Sequence, residues 1–332
     1  MRFRLCLLLF FLPLLSFDVV RHAELSGDLI LVNHDSQSGT PLNDLTEPKG
    51  DFQSVTIPLK RAGRLFLIEA RIGDQTGNFI FDTGAVSLVL NRTYFRKNLI
   101  QIEEPASGIT GNVEKVCQMR VPRLDLSGLY YENILADVIN LGHIENRRGV
   151  KILGLFGMDL FRNLEMVIDL KRSELRLFRI DKSGNRIITA TDTLKTDLTC
   201  PVKVVSGVIF LKACIGGKNL DFCVDTGAEA NVLSSTASKK VLNTVTITRR
   251  SDLTGSGSTQ VEVLYGTMND FMLANRPMHP MQTMITGMDA LAVAYNYPLS
   301  GVLGYDFFEK GIVCINLVKK ELGLRLVRET EQ

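Results

Sequence analysis

Asp82 closes an apolar run in the stretch "FIFDTGA" (Phe79–Ala85), and Asp225 closes another in "FCVDTGA" (Phe222–Ala228). A carboxylate at the end of an apolar strand is costly to bury unless another group pairs with it or shares its charge. A single Asp-Thr-Gly has a plain reading as a surface turn, where Asp and Gly are both favoured. Two of them in the same setting raise a chemical question, namely whether the two acids meet. Carboxyl groups brought close together cannot easily both ionise, so they share a proton, and one can act as general base while the other acts as general acid.

The elements that would have to position these acids are also repeated. Ile72–Ala85 aligns without a gap on Ile215–Ala228 at an offset of 143, with 7 of 14 positions identical. The match continues from Leu88–Leu90 to Asn231–Leu233. Further on, "GLFGMDLF" (Gly154–Phe161) aligns with "GVLGYDFF" (Gly301–Phe308) at an offset of 147, and "VIDLKRSELRL" from Val167 aligns with "CINLVKKELGL" from Cys314 at the same offset. Each copy reads as strand, polar turn, strand and a tight turn at Asp-Thr-Gly, then later a strand, a charged turn and a strand. Helical periodicity is confined to short pieces such as "GMDLFRNL" and "GYDFFEKG". The expected fold class is all-β for the most part, with two barrel-like lobes, residues 55–185 and 186–332, and a cleft between them. They are joined near residues 181–200, a polar stretch rich in Thr and Asp.

The 332 residues suffice for two domains of ordinary size, and 45% hydrophobic with 22% charged is normal for a globular chain. A net charge of +2 gives no support to nucleic-acid binding. The four histidines, His22, His34, His143 and His279, are scattered, and neither HExxH nor paired CxxC occurs, so neither a metal site nor any other cofactor is expected. Arg2 and Arg4 followed by an apolar run from Leu5 to Leu15 fit a secretory signal over residues 1–23, or an uncleaved N-terminal anchor. The expected location is therefore secreted or periplasmic, with a membrane tether as the variant. Residues 24–54 are polar and contain Gly and Pro, and read as an extended N-terminal segment. Export would permit disulfides. Beyond Cys6, the five cysteines leave at least one thiol over, and only Cys214 and Cys223, flanking one turn, suggest a pair; two buried thiols are the preferred reading.

The paired motifs resemble those of aspartic proteases, over about residues 55–328. That resemblance implies a site built from the two Asp-Thr-Gly turns, with Asp82 and Asp225 as the catalytic dyad. Thr83 and Thr226 would hydrogen-bond across the turns, and Gly84 and Gly227 would allow close approach and donate N–H groups to the acids. "KILGLFG" (Lys151–Gly157) and "SGVLG" (Ser300–Gly304) would be the segments crossing beneath them. It further implies hydrolysis of a peptide or protein held in extended form, by a water activated between the acids, with no metal. Ala85 and Ala228 stand where pepsin-like members usually carry Ser, and are similar in this to retroviral-type enzymes, so the chain looks like two retropepsin-like domains in tandem. "SGITGNVEKV" (Ser107–Val116) and "LTGSGSTQVEV" (Leu253–Val263) fall where flap hairpins would lie, and Tyr265 is not assigned as a flap tyrosine. Asp159 and Asp306 read as caps of short helices. Near-equal spacing in the two halves favours a monomer whose lobes pair within the chain over pairing in trans. The alternative function is an idle two-lobed peptide-binding protein, against which both intact acids speak.

Overall fold

The computed structural model describes residues 3–7, 30–34, 47–101, 117–187, 194–254 and 260–327. The chain is built of two β lobes that follow the same strand order, as the repeat requires. In the first lobe, strands Leu65–Ile72, Gln75–Phe81, Ile152–Phe156, Val89–Asn91, Leu129–Ile139 and Cys117–Leu126 are neighbours in that order. The last pairs back onto the first through Arg71–Asp125 and Ile72–Leu124, which closes a six-stranded barrel. The second lobe repeats the path as Val208–Ile215, Lys218–Val224, Gly301–Leu303, Asn231–Ser234, Met281–Thr286, Gln260–Met268 and Val245–Thr254.

One local feature of this path creates the site. In the first lobe Ile152–Phe156 inserts between the strand that enters the Asp82 turn and the strand that leaves it, parallel to Gln75–Phe81 and antiparallel to Val89–Asn91. Gly301–Leu303 does the same in the second lobe, between Lys218–Val224 and Asn231–Ser234. These are the crossing segments expected beneath the turns. A side chain cannot be accommodated where they cross. A Cβ on Gly154 would lie 2.1 Å from the Val89 carbonyl oxygen, and one on Gly301 2.4 Å from that of Val232.

A sheet shared by the two lobes lies alongside, and the sequence did not announce it. Its strands run Leu198–Val205, Glu321–Leu326, Gly311–Asn316, Leu164–Asp169, Glu174–Arg179 and Ser54–Pro58, three from each half. The halves meet edge to edge, with Met166 opposite Ile315 and Val167 opposite Cys314. Val167 and Cys314 are equivalent positions of the repeat, so a pseudo-two-fold axis passes between them. Inward residues of these strands, such as Leu175, Leu177, Ile315, Leu322 and Leu324, are fully buried and join the main apolar core with residues of both lobes. The shared sheet therefore fixes how one lobe sits against the other.

Two seven-residue helices, Gly142–Arg148 and Asp289–Tyr295, precede the crossing strands at equivalent positions of the repeat. At two turns each they are too short to show a periodic apolar stripe. The expected short helices after the crossing strands are present at Met158–Phe161 (a 3-10 turn) and Tyr305–Phe308. Their reading as helices capped by Asp159 and Asp306 is corrected. Gly157 and Gly304 occupy the cap positions, no side chain caps either helix, and the two aspartates lie at the second helical residue, two positions past the cap. From there their carboxylates turn to arginines, Asp159 to Arg162 and Asp306 to Arg64. Cys214 faces Asn219 and Cys223 faces Phe210 on their hairpin, so these two cysteines are not cross-strand partners.

At the N-terminus, Phe3–Leu7 pairs antiparallel with Ile30–His34. Among the described residues no helix is long and apolar enough to cross a membrane. The expected flap stretch Ser107–Val116 lies outside the described residues. For the second stretch, the strands Val245–Thr254 and Gln260–Met268 form the expected antiparallel hairpin up to residues 254 and 260.

The crossing segments give a direct test of the packing argument. Gly154→Ala or Gly301→Ala is expected to lower stability by about 3 kcal/mol or more, because backbone rather than a flexible side chain stands in the way. Chemical denaturation that returned a change within about 0.5 kcal/mol would mean that the crossing tolerates a methyl group.

Candidate active site

The strands Gln75–Phe81 and Lys218–Val224 end in buried aromatic and aliphatic residues, and the next residues are Asp82 and Asp225. The crossing strands hold the start of each turn: the Asp82 amide donates to the Phe156 carbonyl at 3.1 Å and the Asp225 amide to that of Leu303 at 3.0 Å. Both acids, both threonines and both following alanines are fully buried.

The threonines tie the two turns to each other with four reciprocal bonds. Thr83 Oγ1 donates to the Val224 carbonyl at 2.8 Å and accepts from the Thr226 amide at 2.9 Å. Thr226 Oγ1 donates to the Phe81 carbonyl at 2.7 Å and accepts from the Thr83 amide at 3.0 Å. Each hydroxyl is thus both donor and acceptor with its partners fixed, and four buried backbone groups that no strand ladder reaches are satisfied. Serine could offer the same atoms, but threonine's branched Cβ restricts χ1 and holds the hydroxyl in place.

The acids are opposed across this lattice. A Cβ on Gly84 would lie 2.6 Å from Asp225 Cγ, and one on Gly227 would lie 2.7 Å from Asp82 Cγ. Each glycine therefore gives up its side chain to the other lobe's carboxyl group. The turns also donate to their own acids: Asp82 Oδ1 accepts from the amides of Gly84 at 2.9 Å and Ala85 at 3.1 Å, and Asp225 Oδ1 accepts from that of Gly227 at 2.7 Å. The Oδ2 atom of each acid is buried and has no hydrogen-bond partner within the protein.

Burial pushes Asp82 up to about 6, against the pull of the neighbouring Asp225 carboxyl group and of its two amide donors. Asp225 is held well above the ordinary carboxylate range, first by burial and then by the charge of Asp82. The two acids therefore titrate as one pair that holds a shared proton above the ordinary carboxylate range.

Glu229 was not singled out in the sequence. It lies four residues beyond Asp225, is 1% exposed, and forms an ion pair with Arg148 of the first lobe. The signal that could have found it is the repeat itself, since the equivalent position is Val86 and a glutamate there departs from an apolar register. Asp137 is a second missed group: it is buried and accepts hydrogen bonds from Ser87 at 2.9 Å and Gln118 at 3.0 Å, behind the Asp82 turn. Among the described residues no cluster of His, Cys, Asp and Glu could hold a metal ion.

A family profile described as aspartyl protease matches residues 68–160 and 211–307, one stretch in each lobe and together more than half of the chain. Among solved structures, the crystal structure of basic 7S globulin from soybean is similar, with a TM-score of 0.45 and 11% sequence identity over 82% of this chain and 95% of that chain. No sequence among curated proteins matches the chain.

The buried pair has a stability consequence. Both acids hold protons more tightly in the folded chain than in the unfolded one, whose reference value is 3.8. Their contribution is therefore fully present below that value and is lost as pH rises through about 6 and beyond. Asp225→Asn keeps an oxygen for the Gly227 amide and removes a group that folding obliges to take up a proton at neutral pH. It is expected to raise Tm at pH 7 on the order of 2–4 °C over the unaltered protein, with the gap closing toward pH 4. Equal melting curves at both pH values would show that the pair carries no electrostatic strain.

Proposed function

Because the chain belongs to the aspartyl protease family, we propose that it is an aspartic endopeptidase that hydrolyses peptide bonds with Asp82 and Asp225. The observation that carries this reading is the pair of opposed, fully buried carboxyl groups, each with its Oδ2 left without a protein partner. Neither oxygen serves the fold, and an unpaired buried polar atom costs stability unless it has another use.

In this reading Asp82, whose charge helps hold Asp225 in its protonated form, is the ionised member and takes a proton from a water held between the acids. Asp225 is the protonated member and donates to the oxygen of the scissile carbonyl. The water oxygen bonds to the carbonyl carbon as that proton moves, giving a tetrahedral gem-diol. Its collapse breaks the C–N bond while a proton passes to the leaving nitrogen, so atoms and charge balance without a covalent enzyme intermediate. The threonine lattice keeps the acids in place through both steps. A substrate in extended form suits a cleft between two β lobes, because its own backbone can pair with hairpin strands. The apolar run ending in Phe79–Phe81 and its counterpart Phe222–Val224 are core residues, as are Leu88–Leu90 and Val232–Leu233, so these stretches do not choose the substrate. Delivery across a membrane by residues 1–23, as signal or tether, belongs to the same reading, as does a monomer whose lobes pair within the chain.

Two measurements test it. Asp82→Asn and Asp225→Asn are each expected to remove peptidase activity on a peptide library to below about one thousandth while the fold survives, and a chelator is expected to leave the unaltered protein active. Either variant retaining a few per cent of the rate would remove the dyad from the mechanism.

The second concerns Ala85 and Ala228, which cannot donate a side-chain hydrogen bond to the acids, so the shared proton is held to higher pH. The double variant Ala85→Ser, Ala228→Ser is expected to move the acid limb of kcat/KM to lower pH. An unmoved limb in a folded double variant would assign the dyad's proton affinity to other groups.

A further inference from the structure

Most core positions near the dyad have a like counterpart in the other half, and one group of charged residues at the lobe junction does not. Glu229 corresponds to Val86 at the repeat offset of 143, and Arg64 to Gly207. Arg147 and Arg148 correspond to Ala294 and Tyr295 at the offset of 147. These exceptions converge on one place, the junction between the lobes beside the Asp225 turn. Arg148 Nη2 bonds to Glu229 Oε1, and the pair is 10% and 1% exposed. Arg64 Nη1 donates to the Glu229 carbonyl at 3.2 Å and to both carboxylate oxygens of Asp306 at 3.1 Å. The Arg148 guanidinium lies over the Gly63 backbone, where a Cβ would come within 2.6 Å of it.

The equivalent junction beside the Asp82 turn is apolar. Val86 packs under Gly207, where a Cβ would lie 2.6 Å from Val86 Cγ1. Tyr295, in the place of Arg148, stacks edge-on against Phe210 at 5.5 Å. One junction is thus sealed by shape and the other by charge.

We propose that Glu229 is a positioning residue: its ionised carboxylate, paired with Arg148, and its backbone carbonyl, held by Arg64, both from the opposite lobe, set the alignment in which the two acid-bearing turns face each other. A buried ion pair is a poor source of stability, because desolvation consumes most of the Coulombic gain, but it constrains geometry strongly. Its chain route is short. Glu229 is one residue from Ala228, whose carbonyl accepts from the Tyr305 amide at 2.9 Å, and Tyr305 in turn stacks on Phe66 and accepts from Arg61. The first lobe therefore grips the Asp225 turn at its Glu229 end and again through the helix beneath it.

The charged groups facing Glu229 are Arg148 and Arg147 from the helix Gly142–Arg148, and Arg64 from the turn before Leu65. Asp306 competes for Arg64. Burial raises the Glu229 carboxyl to about 7 despite the three guanidinium groups. Below that pH the grip is neutralised, so the acid limb of catalysis carries this ionisation as well as that of the dyad.

The proposal rests on the peptidase reading for its kinetic arm only. In the full-length protein, Glu229→Gln is expected to lower kcat about tenfold to a hundredfold while KM changes little, as a small misplacement of reacting groups does. Its acid limb should lose one ionisation and follow the dyad alone, and Arg148→Lys should retain more activity than Arg148→Met. The second arm needs no activity: amide hydrogen exchange at Thr83 and Thr226 should quicken in Glu229→Gln. If that variant does not fold, Glu229→Val, Arg148→Met removes both buried charges, and is expected to melt like the unaltered protein yet exchange faster at the two turns. Unchanged exchange at both turns in whichever variant folds, or an acid limb identical to that of the unaltered protein, would overturn the proposal. Inactive unaltered protein with faster exchange in the variant would keep the positioning role and reject the peptidase reading.

Discussion

Two carboxyl groups buried against each other cannot both be charged, and the architecture is arranged around that constraint. Left alone, Asp82 and Asp225 would separate or draw in water. They stay because the turns that carry them are bonded to each other by Thr83 and Thr226, and because Gly84 and Gly227 leave room for the opposing acid. Every one of those bonds crosses between the lobes. The site is therefore a property of the junction, and neither lobe contains it alone.

That dependence explains the shared sheet. Four hydrogen bonds at the end of two mobile lobes could not by themselves hold the carboxyl groups in register, since each is worth only about 1 kcal/mol net. The ladder from Glu165–Asn316 to Ile168–Val313, with apolar residues buried beneath it, fixes the relation of the halves some distance from the acids. The threonine lattice then needs only to set the last few tenths of an ångström. The crossing strands add rigidity from below, since each is clamped between the two arms of its own turn, with glycine where the backbones touch.

What the sequence made legible follows the same division. The Asp-Thr-Gly turns, the threonines, the glycines and the crossing segments are each local strings that occur twice, so the offset between copies brought them out. The shared sheet was hidden, because "VIDLKRSELRL" and "CINLVKKELGL" each read as a complete hairpin, and nothing local says that their outer edges meet. The helices Gly142–Arg148 and Asp289–Tyr295 were too short for their periodicity to register. Asp159 and Asp306 misled because an acid near a helix start usually caps it, whereas here glycine must occupy the cap for close packing: a Cβ at Gly304 would lie 2.5 Å from the Ala228 carbonyl. Glu229 escaped because a repeat draws attention to identities, and its meaning lies in a difference.

Such differences are where a duplicated architecture becomes directional. Behind the Asp82 turn, Ser87 and Gln118 share the buried Asp137, while the equivalent positions of Ser87 and Asp137 in the second half are the buried Ala230 and Met284, the latter in an apolar cluster. Beside the Asp225 turn the polar group is Glu229, and its counterpart Val86 is apolar. Each turn thus has one polar support, but in the first half the support comes from within the lobe, and in the second it comes across the junction. A symmetric pair of acids would share its charge equally. Here the Asp82 turn continues into a neutral residue, Val86, and the Asp225 turn into an acidic one, Glu229, whose charge is met by Arg148 of the other lobe, so the two turns give their acids unlike surroundings.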